Sequence, residues 1–324
     1  MPRLSPKENM LRLIKFEDPE YIPYDLESVK VFTYRDGLFF KGNGNPDAIE
    51  WTDAWGVKYK LADVNYKDSG YPVFHPLETL EHLEEFPFPD PSDPELFMAV
   101  IKQMETVDRK SHLVMLRNPG FLFVRSWLLH GMEETLMDII TEPGLYEALL
   151  DKIYAYQETV IKRSVELKPD IIHFGDDAGT TKALMINPVL WRSMIKPRLK
   201  RICDICKDAG CIVLMHCCGC IQEIIDDIIE IGADILNPLQ AGANDLGYIK
   251  NRARGKLTLY GGIDAHTVAT AAPQKVADLT RNILRLLGDG GGYIAYADQD
   301  LPYPDENLQA MRAVVNEEGN LSAC

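Results

Sequence analysis

Short runs that are apolar at nearly every position recur along the chain, separated by longer amphipathic stretches. From residue 97 onward the apolar runs lie at 113–116, 171–174, 211–215, 233–237, 257–262 and 292–296. Helical periodicity fills much of the space between them, at 122–140, 144–167, 188–209, 221–231 and 273–287, with a further helix at 96–105. Runs that are apolar throughout, rather than at alternate positions, fit strands of a parallel sheet covered on both faces. Nearer the N-terminus, Ser5-Pro6-Lys7-Glu8 opens a first helix: Ser5 caps, Pro6 takes the first helical position, and Glu8 reaches back as in a capping box. That helix carries Met10, Leu11 and Leu13 and ends before Pro19. Residues 21–29 then read as a first strand that delivers Asp25 and Glu27.

This gives seven strands and leaves an eighth to 31–75 or 121–126. The pattern favours a closed (β/α)8 TIM barrel over an open doubly wound sheet. The reading is one α/β domain over residues 1–324, with 31–95 as a lid or excursion. That excursion holds Gly42-Asn43-Gly44-Asn45-Pro46, the aromatics Trp51, Trp55 and Tyr59, and a proline-rich run at 87–94. Its aromatics are open to two uses, packing on the barrel or stacking on an aromatic substrate. No Gly-x-Gly-x-x-Gly follows a strand, which weighs against dinucleotide binding.

Composition narrows the partners. With 34 Lys plus Arg against 49 Asp plus Glu, the formal charge is −15, the wrong sign for nucleic acid or an anionic membrane surface. No apolar run approaches the roughly 20 residues that span a bilayer, and the charged N-terminal stretch does not read as a signal peptide. Of seven cysteines, six fall between Cys203 and Cys220. Such crowding points to reduced thiols or a metal rather than a disulfide framework. The expected setting is the cytoplasm.

In a (β/α)8 barrel the active site forms where the strands end. Polar residues gather at those ends here: Asp25 and Glu27, Arg117 and Asn118, His173 with Asp176 and Asp177, His216 and Cys218, Asn237 and Gln240, Asp264, and Asp298 with Gln299. His216 and Cys218 carry the sharpest chemistry. Residues i and i+2 of an extended chain point to one side, so an imidazole and a thiolate can share a metal, and Zn2+ suits that pair. Cys217 then faces the wall as a small apolar residue. Cys203 and Cys206 form a CxxC inside a helix, where core packing explains them. Asp176 and Asp177 read either as acid/base or metal-holding carboxylates or as turn and cap residues. Asp264, after two glycines, reads either as a cap or as a ligand contact.

Several segments together resemble the uroporphyrinogen decarboxylase superfamily. They are His216-x-Cys218-Gly219 followed by residues 228–240, Gly175-Asp176-Asp177-Ala178-Gly179-Thr180, Trp191 with 196–200, Gly261-Gly262-Ile263-Asp264, and Gly290-Gly291-Gly292-Tyr293-Ile294. The likeness runs over about residues 110–315. It implies a (β/α)8 barrel and one of two chemistries: cofactor-free decarboxylation of uroporphyrinogen, or zinc-dependent methyl transfer involving the cobalamin of a separate corrinoid protein. The decarboxylases carry an arginine-containing motif that holds substrate carboxylates. Here the corresponding stretch is Ile22-Pro23-Tyr24-Asp25-Leu26-Glu27-Ser28, whose carboxylates would repel them. In the methyltransferase branch His216 and Cys218 match two zinc ligands, and a later cysteine supplies another. Gln299 aligns with that cysteine, and glutamine is a poor zinc ligand. The resemblance therefore leaves the coordination to be completed by Asp177, Asp298 or Glu27. Fewer thiolates leave a metal more positive, which favours an oxygen-linked methyl donor over a thiol.

The function expected from this reading is a methyltransferase that works with a corrinoid protein. His216 and Cys218 hold Zn2+, and Asp176, Asp177, His216 and Asp264 are the catalytic candidates. Asp25, Glu27, Arg117, His173, Asn237, Gln240 and Gln299 are expected to bind the small methyl donor or acceptor. A homodimer is a candidate assembly. One alternative is a metal-free decarboxylase or lyase using Asp25 and His216 as acid/base groups. Another is a non-catalytic partner of a corrinoid protein.

Overall fold

A computed structural model describes residues 4–34, 49–61 and 70–321 of the chain. The first helix, α1 (Pro6–Lys15), forms as its sequence dictates. Ser5 Oγ accepts from the Glu8 amide at 3.3 Å and Glu8 Oε2 accepts from the Ser5 amide at 3.1 Å, which satisfies two donors at the exposed helix end. Its buried face carries Met10, Leu13 and Ile14. These side chains join one cluster with Val29, Leu113, Met115, Ile171, Leu214, Ile235, Tyr260 and Ile294. The helix thus packs against the inner surface of a curled sheet, and each such aliphatic side chain adds about 1.5–3 kcal/mol on burial.

That sheet has seven parallel strands: β1 (Val29–Thr33), β5 (Leu113–Asn118), β6 (Ile171–Gly175), β7 (Ile212–His216), β8 (Ile235–Leu239), β9 (Thr258–Ile263) and β10 (Tyr293–Ala297), in that order. All six apolar runs after residue 97 are strands, within two residues of the expected limits. The amphipathic stretches between them are helices. The main ones are α3 (Phe123–His130), α4 (Met132–Thr141), α5 (Pro143–Glu166), α7 (Lys196–Asp208), α8 (Ile225–Ile231) and α11 (Pro273–Leu287). The second, larger core lies between this helical layer and the outer face of the sheet. Its members include Cys203 and Cys206, fully buried on α7, so the CxxC is packing. The stretch expected as one helix over 188–209 contains a wide π turn at Trp191–Ile195. A final helix, α12 (Asp305–Glu318), packs on α11. Among the described residues no helix is long and apolar enough to cross a membrane.

Two expectations need correction. Residues 21–29 are not one strand: residues 25–28 form a turn and the strand begins at Val29. Asp25, at φ 54°, sits in the left-handed region that begins that turn. Tyr24 instead makes an isolated parallel bridge to Ala295, with the Asp25 amide donating to the Ala295 carbonyl at 3.0 Å and the Ala295 amide to Pro23 at 2.9 Å. Neither 31–75 nor 121–126 supplies an eighth parallel strand among the described residues. The second of these stretches runs into α3. The first, beyond β1, holds a separate antiparallel sheet of β2 (Glu50–Thr52), β3 (Lys58–Leu61) and β4 (Gly70–Phe74). Gly42 to Pro46 lie outside the described residues.

The small sheet is pinned to the main body by a buried ion pair, Arg125 Nη1 to Asp53 Oδ2 at 2.6 Å, with Tyr59 donating to the same carboxylate at 3.0 Å. Arg125 lies 4.8 Å from the Trp55 ring, and Trp55 meets Tyr156 edge-on at 4.5 Å. Trp51, Trp55 and Tyr59 are all buried. Trp55 packs the small sheet onto the helical layer, while Trp51 stacks on Tyr59 within that sheet at 5.4 Å.

Candidate metal centre

The register of the parallel strands decides which side chains meet. His216 at the end of β7 pairs with Gly175 of β6 on one side and Asn237 of β8 on the other. Beyond the strands the pairing continues through the loops. The Asp176 amide donates to the His216 carbonyl at 2.9 Å, the Gly179 amide to Cys218 at 3.1 Å, and the Cys220 amide to Thr180 at 2.7 Å. Two glycines permit this contact. A Cβ on Gly219, at φ +88°, would stand 2.2 Å from the Gly179 backbone, and one on Gly179 would stand 2.6 Å from the Cys220 amide nitrogen. No side chain fits there.

The paired loops bring Asp177, His216 and Cys218 together, with one ligand atom from each within 4.8 Å of the others. His216 Nε2 is 3.4 Å from Cys218 Sγ and 3.6 Å from Asp177 Oδ1. Cys217 points away and is fully buried in the outer core, so the two-residue spacing works as expected. Asp177 Oδ1 also accepts from the Cys218 amide at 2.8 Å, which locks carboxylate and ligand loop together. The His216 Nδ1–H donates to Asn237 Oδ1 at 2.9 Å, leaving the Nε2 lone pair directed at the other two groups. Burial foremost, and then the Asp177 charge, pushes the Cys218 thiol up to about 12. A cation in the cluster would reverse that balance by stabilising the thiolate. Imidazole, thiolate and carboxylate are all zinc donors, and three protein ligands leave a fourth position for substrate. The residues present fit the metal.

The sequence profile of the uroporphyrinogen decarboxylase (URO-D) family matches residues 61–318. The chain belongs to that family. Among solved structures, a methyltransferase from Methanosarcina mazei superposes with a TM-score of 0.71 at 17% identity, covering 97% of this chain and 99% of that one. At that identity the likeness speaks for the fold. A D-psicose 3-epimerase (TM-score 0.38, 10% identity, covering 75% of this chain and 79% of that one) and a 3-keto-D-glucoside 4-epimerase from E. coli (0.38, 14%, 75% and 95%) score too low to bear on it. No curated protein matches the chain in sequence.

Around this family member's triad, the β8 loop forms a clamp. Gln240 Oε1 accepts from the Gly219 amide, and Asn244 accepts from Ile221 at 3.0 Å while donating to the Gly219 carbonyl at 2.9 Å. Asn244 carried no signal in the sequence, because its role depends on a backbone 25 residues away. Gln299 Nε2 lies 3.7 Å from Cys218 Sγ. His173 is buried on β6 with its ring centre 5.8 Å from that of His216. Burial, then the charge of Arg117, holds its imidazole well below the usual range, so it is neutral. Arg117 is its register partner on β5.

The remaining predicted residues have structural partners elsewhere. Asp176 accepts from the Leu122 and Val124 amides at 3.0 and 2.9 Å and so caps α3, and burial pushes its carboxyl up to about 7. Asp264 caps α10 (Ala265–Thr270) through the Thr267 amide and hydroxyl at 2.8 and 2.6 Å. Asp298 is buried on the Ala241 and Ala265 amides at 2.8 and 2.9 Å. Asn118 is buried on Gln157 at 2.7 Å. Glu27 pairs with Arg312 at 2.6 Å, both half-exposed. Asp25 accepts from the Tyr260 hydroxyl and lines a cavity of about 290 Å³ with Tyr24, Tyr296 and Arg312. Of the three carboxylates offered as a further ligand, the structure brings Asp177 to the pair and gives Asp298 and Glu27 other partners.

Proposed function

We propose that the chain is a cytoplasmic, zinc-dependent methyltransferase that moves a methyl group between a small oxygen-linked methyl compound and the cobalamin of a separate corrinoid protein. We place this chemistry on a full (β/α)8 barrel, with the segment bonded to β10 through Pro23 and Asp25 serving as the eighth wall element. The observation that carries the reading is the convergence of Asp177, His216 and Cys218 within 4.8 Å at the ends of two adjacent strands. Asp177, His216 and Cys218 would hold Zn2+, which would supply Lewis acidity to the oxygen of a methylated substrate.

The chain's own residues prepare that event. Asn237 holds His216 in the tautomer that presents Nε2. Asp177 would stand where a second thiolate could, as a harder oxygen donor, so that less charge would be donated to a bound cation and its pull on an oxygen would be stronger. His173, buried and neutral beside Arg117, offers hydrogen bonds to substrate. The clamp from Gln240 and Asn244 keeps the ligand loop from rearranging between the loaded and empty states. Methyl transfer to a strongly nucleophilic cobalt then needs alignment and leaving-group assistance more than a protein nucleophile.

A metal-free decarboxylase using Asp25 and His216 gains no support from the geometry. Asp25 is tied to Tyr260, and His216 aims at Asp177 and Cys218. The test is elemental analysis of chelator-free protein, then incubation with cob(I)alamin and O-methyl donors while following methylcobalamin absorbance. About one zinc per chain and methylcobalamin formation are expected. Protein that carries no zinc, takes none up and forms no methylcobalamin rejects the proposal.

A further inference from the structure

Gln299 is the one described side chain from the β10 loop that touches the ligand cluster, and its backbone is held on both sides. Just before it, Asp298 is fixed by the Ala241 and Ala265 amides. Its own carbonyl accepts from the Tyr303 hydroxyl. The main chain so anchored sets where the side chain begins, and Nε2 comes to 3.7 Å from Cys218 Sγ. An amide nitrogen carries two donor hydrogens and no available lone pair. It cannot ligate a metal, but it can hydrogen-bond a sulfur that does.

We infer that Gln299 is a specificity-determining residue of the metal centre. It draws charge from the Cys218 sulfur through an N–H···S bond, keeping a bound cation electrophilic toward oxygen-linked rather than sulfur-linked substrates. The inference rests on the metal reading of the triad. Sulfur electrons shared with a hydrogen-bond donor are given less fully to a metal, and such outer contacts tune metal sites as firmly as some ligands do. The set Asp177, His216 and Cys218 already contains a single thiolate. Gln299 weakens that one and fills the space beside it. The same residue thus acts twice in one direction, toward a harder centre that prefers an oxygen leaving group.

Cobalt(II) in place of zinc gives the test, because its sulfur-to-metal charge-transfer band reports the thiolate directly. The full chain, Gln299→Leu and Gln299→Cys are each loaded and titrated. Gln299 is only partly buried, so neither change empties the core. The wild type is expected to bind about one cobalt with a one-thiolate band. In Gln299→Leu that band moves to lower energy at unchanged stoichiometry, since the sulfur regains the electrons it shared. In Gln299→Cys its intensity roughly doubles as a second thiolate joins, and the preference for methoxy compounds over thiols falls by about tenfold or more. A fully loaded Gln299→Leu protein whose band stays at the wild-type energy overturns the inference alone. A wild-type chain that takes up no cobalt instead overturns the metal reading beneath it.

Discussion

Asn237 Oδ1 stands 2.9 Å from His216 Nδ1, and the two residues are register partners on adjacent parallel strands. The bond fixes which ring nitrogen is free. A histidine that ligates through Nε2 needs its other nitrogen protonated and oriented, and this is the usual office of such a partner. Asn237→Leu is therefore expected to weaken metal binding by about 10–100-fold with little loss of fold. Asn237→Asp, which keeps the acceptor, should retain most of it. Competition with a chromophoric chelator measures both, and equal affinity in the Leu variant and the wild type would remove Asn237 from this role.

The carboxylate that joins the imidazole and the thiol is Asp177. Asp177→Asn keeps an oxygen for the Cys218 amide but loses the charge, so metal affinity should fall further than in Asn237→Leu. Glu27→Gln and Asp298→Asn should leave metal stoichiometry unchanged, because those groups are committed to Arg312 and to two backbone amides. Metal content after dialysis against a weak chelator distinguishes them. Retention of metal by Asp177→Asn together with loss in Asp298→Asn would reverse the assignment.

The approach of Gly219 to Gly179 offers a structural test. Alanine at 219 incurs the cost of a left-handed backbone, about 1–3 kcal/mol, and in addition places a methyl 2.2 Å from neighbouring backbone atoms. Gly210→Ala is the control: its φ of +76° is similar, but nothing lies within 4 Å of the added carbon. Gly219→Ala should lose clearly more stability in urea denaturation and should also lose metal affinity. Gly210→Ala should lose only the smaller amount and bind metal normally.

Lys250 on α9 (Leu246–Ala253) supplies a pH dependence away from the metal centre. It is 4% exposed and donates to the Gly291 carbonyl at 2.8 Å, and burial lowers its ammonium from the usual 10.5 to about 8. The folded chain then holds this proton less tightly than the unfolded chain. Its contribution to stability is complete above 10.5 and is lost as the pH falls through about 8. Lys250→Met should be more stable than the wild type near pH 7, by a margin that shrinks as the pH rises from about 8 to 10.5. A margin that does not change with pH, measured by denaturation at several pH values, would show that Lys250 does not titrate in this range.

Much was legible without coordinates because the responsible physics is local. Continuous apolar runs alternating with amphipathic stretches specify parallel strands covered by helices, and Pro273–Leu287 was bounded to the residue. The capping box at Ser5 and Glu8 was equally readable. So was the shared facing of His216 and Cys218, since a period of two is a property of any extended chain.

What the tertiary structure decided was which distant segments meet. Asp177, Asn237 and Gln299 reach one sulfur and one imidazole, and Asn244 reaches the backbone beside them, only because parallel strands stagger in a particular register, and register between segments tens of residues apart leaves no trace in periodicity. The same dependence turned residues 25–28 from a strand into a turn and buried Trp55 against Tyr156 and Arg125 of the helical layer. It also set Asp176 on the Leu122 and Val124 amides, more than fifty residues away, whereas the Asp264 cap on Thr267 is local. Local sequence sets the direction in which a side chain points; the packing of the whole chain sets what it finds there.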